Sequence, residues 1–242
     1  MELYNYSQKS GFTLAEVLIT LGIIGVVAAI TLPILIANYQ KKVTEERLKQ
    51  VYSVLHLAIL QSQEDNGPIT DWRFEDNDAG SVGVPNFRKK YIDVYLKSLS
   101  TYKYSSRYLQ NSAGQELVYC GPTFDDVSVT PAGWGYWLCR HATTTAEVKG
   151  LNYFYILVDL NGPKAPNRVG RDIFYFPINH TGAPEKGLLS GNKNISDDSF
   201  KKNCHDASKT GNGYSSSWST GSTCSLWIMH NNWKIPEKDY PW

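Results

Sequence analysis

The sequence predicts an α+β fold: a long N-terminal helix followed by a globular domain with an antiparallel β-sheet. Three observations carry this. An almost uninterrupted apolar run covers residues 12–37 of the 242-residue chain. It passes without a break signal into an amphipathic stretch at 38–64. Beyond residue 100 the spacing changes to short β-branched and aromatic runs between Gly, Pro and Asn clusters. Helices first and strands later favour α+β over an alternating α/β order.

The apolar run is 26 residues. As a helix it spans about 39 Å, against about 30 Å of membrane hydrocarbon. It is longer than a secretory h-region, and no A-x-A-like site follows it. Gly22, Gly25 and Ala28-Ala29 allow close helix approach in lipid. Pro33 lacks an N–H and predicts a helix kink. One carboxylate, Glu16, sits near the start of the run. An acidic group at membrane depth costs about 2.5–3.5 kcal/mol on insertion scales, which marks it as functional.

The second half reads as amphipathic. Leu48, Val51, Tyr52, Leu55 and Ile59 form a stripe, and Glu45, Glu46, Lys49 and Gln50 are polar. Asp65-Asn66-Gly67-Pro68 is the stop signal. The apolar half is therefore expected to protrude and the amphipathic half to pack on the domain at 65–242. There a second helix is expected over Pro85–Leu99, with Phe87, Tyr91, Val94 and Tyr95 inward. Strands are expected at Glu116–Cys120, Trp134–Arg140, Tyr153–Leu160, Ile173–Ile178 and Cys224–His230. Residues 211–222 read as a Gly/Ser/Thr-rich loop.

Four cysteines lie beyond the run, and an even count in an exported domain favours disulfides. The sequence-local pairs are Cys120–Cys139 and Cys204–Cys224. Free buried cysteines and a zinc site are the alternatives; the usual C-x₂₋₄-C spacing for zinc is missing. Asp159-Leu160-Asn161-Gly162, with Asp172 downstream, looks like the opening of a calcium (Ca2+) loop. The competing reading is a β-turn with Asp159 bonded to local backbone.

No H-E-x-x-H, G-x-S-x-G, Walker A or G-x-G-x-x-G pattern occurs, so no enzyme is predicted. A net charge of +1 without a basic block gives no sign of nucleic-acid binding. The many aromatics read mainly as sheet core. The other reading is a ligand platform of Tyr214, Trp218, Trp233, Tyr240 and Trp242.

Gly11-Phe12-Thr13-Leu14-x-Glu16 and the apolar run after it resemble the cleavage and methylation signal of type IV pilins and type II secretion pseudopilins. The resemblance implies a leader at 1–11, cleavage between Gly11 and Phe12 by prepilin peptidase, and N-methylation of Phe12. It implies that Glu16 pairs with the Phe12 amine of a neighbouring copy during assembly. The implied partners are further copies, other pilins or pseudopilins, an inner-membrane assembly platform and membrane lipid. The implied location is the bacterial inner membrane, single-pass, then a surface or periplasmic filament. Lys41 and Lys42 outnumber Lys9, so charge counting alone favours the opposite orientation. The cytoplasmic N-terminus rests on the resemblance and the downstream cysteines. It requires no cofactor, but secretion-class pseudopilins carry a calcium loop in the β region, and this resemblance favours the calcium reading of Asp159, Asn161 and Asp172. A tip-located minor subunit acting as adhesin or ligand-binding module is the alternative function.

Overall fold

The computed structural model describes residues 11–73, 85–103, 126–140, 154–178 and 223–238, together with 110, 201, 204, 240 and 242. The expected leader before Gly11, the strand at 116–120 and the loop at 211–222 lie outside the described residues. Within them the fold is α+β, with one long helix and a five-stranded antiparallel sheet.

Helix α1 runs from Leu14 to Asn66, 53 residues, with Pro33 inside it. At 1.5 Å per residue that is about 80 Å. It enters two compact units, residues 1–42 and 43–242. In the first, large apolar side chains from Phe12 to Ile36 are exposed. Thr20 and Thr31 donate their hydroxyls to the carbonyls of Val17 and Val27, so neither hydroxyl needs water. α1 is long and apolar enough to cross a membrane.

In the second unit α1 buries Leu48, Val51, Leu55 and Ile59 of the expected stripe, joined by Ala58, while Tyr52 is partly buried against the same core. Glu45, expected on the polar face, is buried as well. α1 ends at Asn66, and Gly67 takes φ +80°, the left-handed conformation that terminates helices. The Gly67 carbonyl accepts the Trp72 indole N–H at 2.9 Å.

The second helix is shorter than expected. α2 covers Pro85–Arg88 and passes into a single π-helical turn, Lys89–Asp93. The wider turn brings Arg88 Nε to 3.0 Å from Asp93 Oδ2, five residues on. It also shifts the inward face: Ile92 and Leu96 are buried, while Val94 is exposed. Arg88 donates to Ser128 Oγ at 3.2 Å, and Tyr136 donates its hydroxyl to Asp93 Oδ1 at 2.9 Å. This polar network ties the turn to the sheet.

The sheet is a meander in the order β1 Ser100–Lys103, β2 Asp126–Val129, β3 Gly135–Arg140, β4 Phe154–Asp159, β5 Ile173–Ile178. β1 and β2 were not legible as strands. β3 and β4 pair from Gly135↔Asp159 to Arg140↔Phe154. β4, paired on both sides, is buried at all six positions. One face (Tyr136, Leu138, Ile156, Phe174, Phe176) joins the α1 stripe in the main core. The other (Trp137, Cys139, Leu157, Tyr175) forms a second cluster with Val127 and Val169. β5 contains Pro177, which an edge strand tolerates because one side needs no N–H.

Cys224–His230 is helix α3, not the expected strand. Cys224, Ser225, Trp227 and Ile228 are its buried residues, at helical spacing. Ser225 Oγ donates to the Tyr175 carbonyl and pins α3 to β5.

Candidate functional site

Two regions hold the residues singled out in the sequence. The first is the start of α1. Thr13 precedes the helix and Glu16 lies in its first turn. The Thr13 backbone N–H donates to Glu16 Oε2 at 2.8 Å, and its hydroxyl donates to the same oxygen at 2.7 Å. The Glu16 N–H donates in return to Thr13 Oγ1 at 3.3 Å. This reciprocal arrangement is a capping box, and it satisfies N–H groups that a helix start otherwise leaves open. The role of Thr13 was missed, although Thr13-x-x-Glu16 before an apolar run is its sequence signature. Gly11 and Phe12 stand immediately before the box, and the Phe12 side chain is 88 % exposed.

The second region is the β4–β5 loop, residues 160–172. It brings Asp159, Asn161 and Asp172 together. Asp172 Oδ2 accepts the Asn161 Nδ2–H at 3.1 Å and the Asn167 N–H at 2.7 Å. Its Oδ1 accepts the Arg168 N–H at 2.5 Å. Asp159 Oδ1 accepts the Asn161 N–H at 3.1 Å, the local turn bond expected of an Asx residue. Asp159 Oδ2 accepts the Tyr102 hydroxyl at 3.2 Å. Burial pushes the Asp172 carboxyl up and outweighs the opposing pull of the Arg168, Asn167 and Asn161 donors. Burial, then the charge of Asp159, pushes the Tyr102 phenol up.

A calcium ion needs six to eight converging oxygens. In this loop N–H groups converge on the Asp172 carboxylate, and Asn161 turns its nitrogen toward that carboxylate rather than its oxygen. Asn161 Oδ1 and Asn167 Oδ1 are buried without a hydrogen-bond partner, so the loop's spare oxygens are amide oxygens. Among the described residues no group of three His, Cys, Asp or Glu side chains is placed to hold a metal. As arranged, the loop meets the Asp172 carboxylate with N–H groups rather than with further oxygens.

Cys204 and Cys224 form a disulfide, both fully buried. Cys139 is also disulfide-bonded; its expected partner Cys120 lies outside the described residues. Of the aromatic platform, Trp233, Tyr240 and Trp242 pack against the main core. Tyr214 and Trp218 lie outside the described residues.

Residues 34–242 match the model of a family of unknown function (DUF6613). The chain belongs to this family. Residues 6–32 match the prokaryotic N-terminal methylation motif, the prepilin signal of type IV pilins and pseudopilins. No curated protein and no solved structure matches the chain. The DUF6613 match begins inside the apolar half of α1 and takes in the whole second unit. The methylation motif covers the capping box and most of the apolar run. Motif and helix together fit a pilin-like subunit anchored in a membrane.

Proposed function

We propose that the chain is a structural subunit of a type IV pilus-like or type II secretion pseudopilus filament. The observation that carries this is the methylation motif at 6–32, laid over the start of a 53-residue helix whose first turn holds Glu16. In this reading prepilin peptidase cuts between Gly11 and Phe12, and Phe12 is N-methylated. The new ammonium stays cationic, and the Glu16 carboxylate of a neighbouring copy pairs with it. A copy in the wrong register leaves a buried charge unpaired, so Glu16 selects register more than it adds stability. Pro33 removes one N–H and gives the apolar half a place to bend against its neighbours.

The capping box supports a role for Glu16 in both environments. In lipid its carboxylate is occupied by Thr13 of its own chain, which lowers the penalty of an isolated charge. A tip-located adhesin or ligand-binding subunit would share this N-terminus. Three of the five aromatics expected for its platform pack, partly buried, against the main core, which supports the structural reading.

The test is expression of wild type, Gly11→Ala and Glu16→Ala in a host with a prepilin peptidase. Intact mass should show wild type shortened after Gly11 and methylated, and Gly11→Ala full-length. Glu16→Ala should be cut but absent from sheared filaments. Filaments of Glu16→Ala at the wild-type level would defeat the register role, and an uncut wild type would defeat the reading itself.

A further inference from the structure

We infer that the Asp172 carboxylate is itself the organising ion of the β4–β5 loop, and that the loop closes without a metal. This stands apart from the filament reading and rests on the loop's geometry alone.

The loop backbone is shaped for an anion. Asn167 and Arg168 are consecutive residues, and both aim their N–H groups at one carboxylate, at 2.7 and 2.5 Å. Asn167 has φ +51°, the left-handed conformation that turns successive N–H groups to the same side. Such a concavity of consecutive N–H groups binds anions and repels cations. The loop fills it with its own Asp172. Asn161 adds a third donor through Nδ2 at 3.1 Å.

The Asn161 amide is turned the same way as the two backbone donors. Beside a cation its oxygen would face the ion along with Asp172. Here its nitrogen faces Asp172 Oδ2, and Oδ1 is left without a partner. A cation would have to reverse this amide and displace or crowd two backbone donors.

Further hydrogen bonds close the loop, within it and from Gln110 and Tyr240. The Leu160 N–H donates to the Asp172 carbonyl at 2.8 Å, and Gly170 N–H donates to the Ile173 carbonyl at 2.9 Å. Gln110 bridges the loop by donating to the Asn167 carbonyl and accepting from the Val169 N–H, each at 2.9 Å. The Tyr240 hydroxyl donates to the Gly170 carbonyl at 2.5 Å. None of these contacts calls for a metal.

The experiment is thermal unfolding of the full chain in detergent, in excess EGTA and in excess calcium chloride, for wild type, Asp172→Asn and Asn161→Asp. The midpoint of wild type should be the same in both buffers. Asp172→Asn turns an amide toward donors that need an acceptor, and it should lower the midpoint by about 5 °C or more. In EGTA, Asn161→Asp sets a second carboxylate against Asp172 and should also lower the midpoint. Calcium stabilisation of wild type, or an unchanged midpoint in EGTA for either variant, would overturn the inference. If Asp172→Asn fails to fold, wild type in the two buffers still decides the metal question.

Discussion

Glu45 of α1 accepts the Ile235 backbone N–H on Oε1 at 2.8 Å and the Lys234 ammonium on Oε2 at 3.0 Å. One buried carboxylate thus fastens the C-terminal segment to the helix, 190 residues away in sequence. The same segment continues to the β4–β5 loop, where Tyr240 bonds Gly170 and Arg171 lies over the Trp242 ring at 5.5 Å.

The two halves of the Glu45 contact should differ in weight. Glu45→Ala leaves the buried Ile235 N–H open and should lower unfolding stability by about 1–3 kcal/mol. Lys234→Ala should leave it nearly unchanged, because the lysine side chain is 60 % exposed and its ion pair is screened. Urea denaturation of the two variants checks this; equal losses would show that the ion pair, not the backbone bond, holds the segment.

Gly170→Ala should be among the most damaging single-methyl changes. Gly170 has φ +83°, and an added Cβ would lie 2.8 Å from Cys224 Sγ. Neither the backbone conformation nor the space admits it, and strain of this kind costs about 1–3 kcal/mol. A lowered thermal midpoint is the expected outcome. A wild-type midpoint would show that α3 can shift freely, against its bond from Ser225 to Tyr175.

The capping box can be tested without filaments. Thr13→Val keeps the shape and removes the hydroxyl that accepts the Glu16 N–H. In micelles the Glu16 amide should exchange faster with solvent, with no change near Leu55. Loss of an N-cap costs about 0.5–2 kcal/mol of helix stability. Unchanged exchange at Glu16 would mean that the box is not formed in detergent.

Alkaline titration should be cooperative. Burial pushes the phenols of Tyr102, Tyr136 and Tyr240 above their ordinary value of 10.0, with Asp159 and Asp93 adding to the first two. A pKa raised in the fold means that the stabilisation is fully present below pH 10 and is lost as pH rises beyond it. Phenolate absorbance from these tyrosines should therefore appear only with loss of tertiary circular dichroism. Phenolate formation in a folded chain would contradict their placement.

Some of the fold was legible because the signal is local. The α1 stripe of Leu48, Val51, Leu55 and Ile59 repeats at helical spacing, and Asn66-Gly67-Pro68 marks its end. β3, β4 and β5 were legible as aromatic and β-branched runs between turn residues. β1 and β2 were missed: Ser100–Lys103 and Asp126–Val129 are short and carry few apolar residues. Cys224–His230 misled because a short, mostly apolar run fits either element, and only its contacts choose. At the candidate site, Asp159, Asn161 and Asp172 were found by pattern. The Asn167 and Arg168 N–H groups that meet Asp172 were not, since the path of the backbone decides where they point.

By itself the sequence determined the membrane-length helix, the methylation motif that covers Gly11, Phe12 and Glu16, and the α+β class. These depend on composition and on spacings of a few residues. Tertiary structure alone decided the burial of Glu45 under the C-terminal segment, the helical state of Cys224–His230, the π turn after Arg88, and the direction of the Asn161 amide. Each depends on a partner far away in the chain or on a backbone turn, and residue order does not show where that partner will stand.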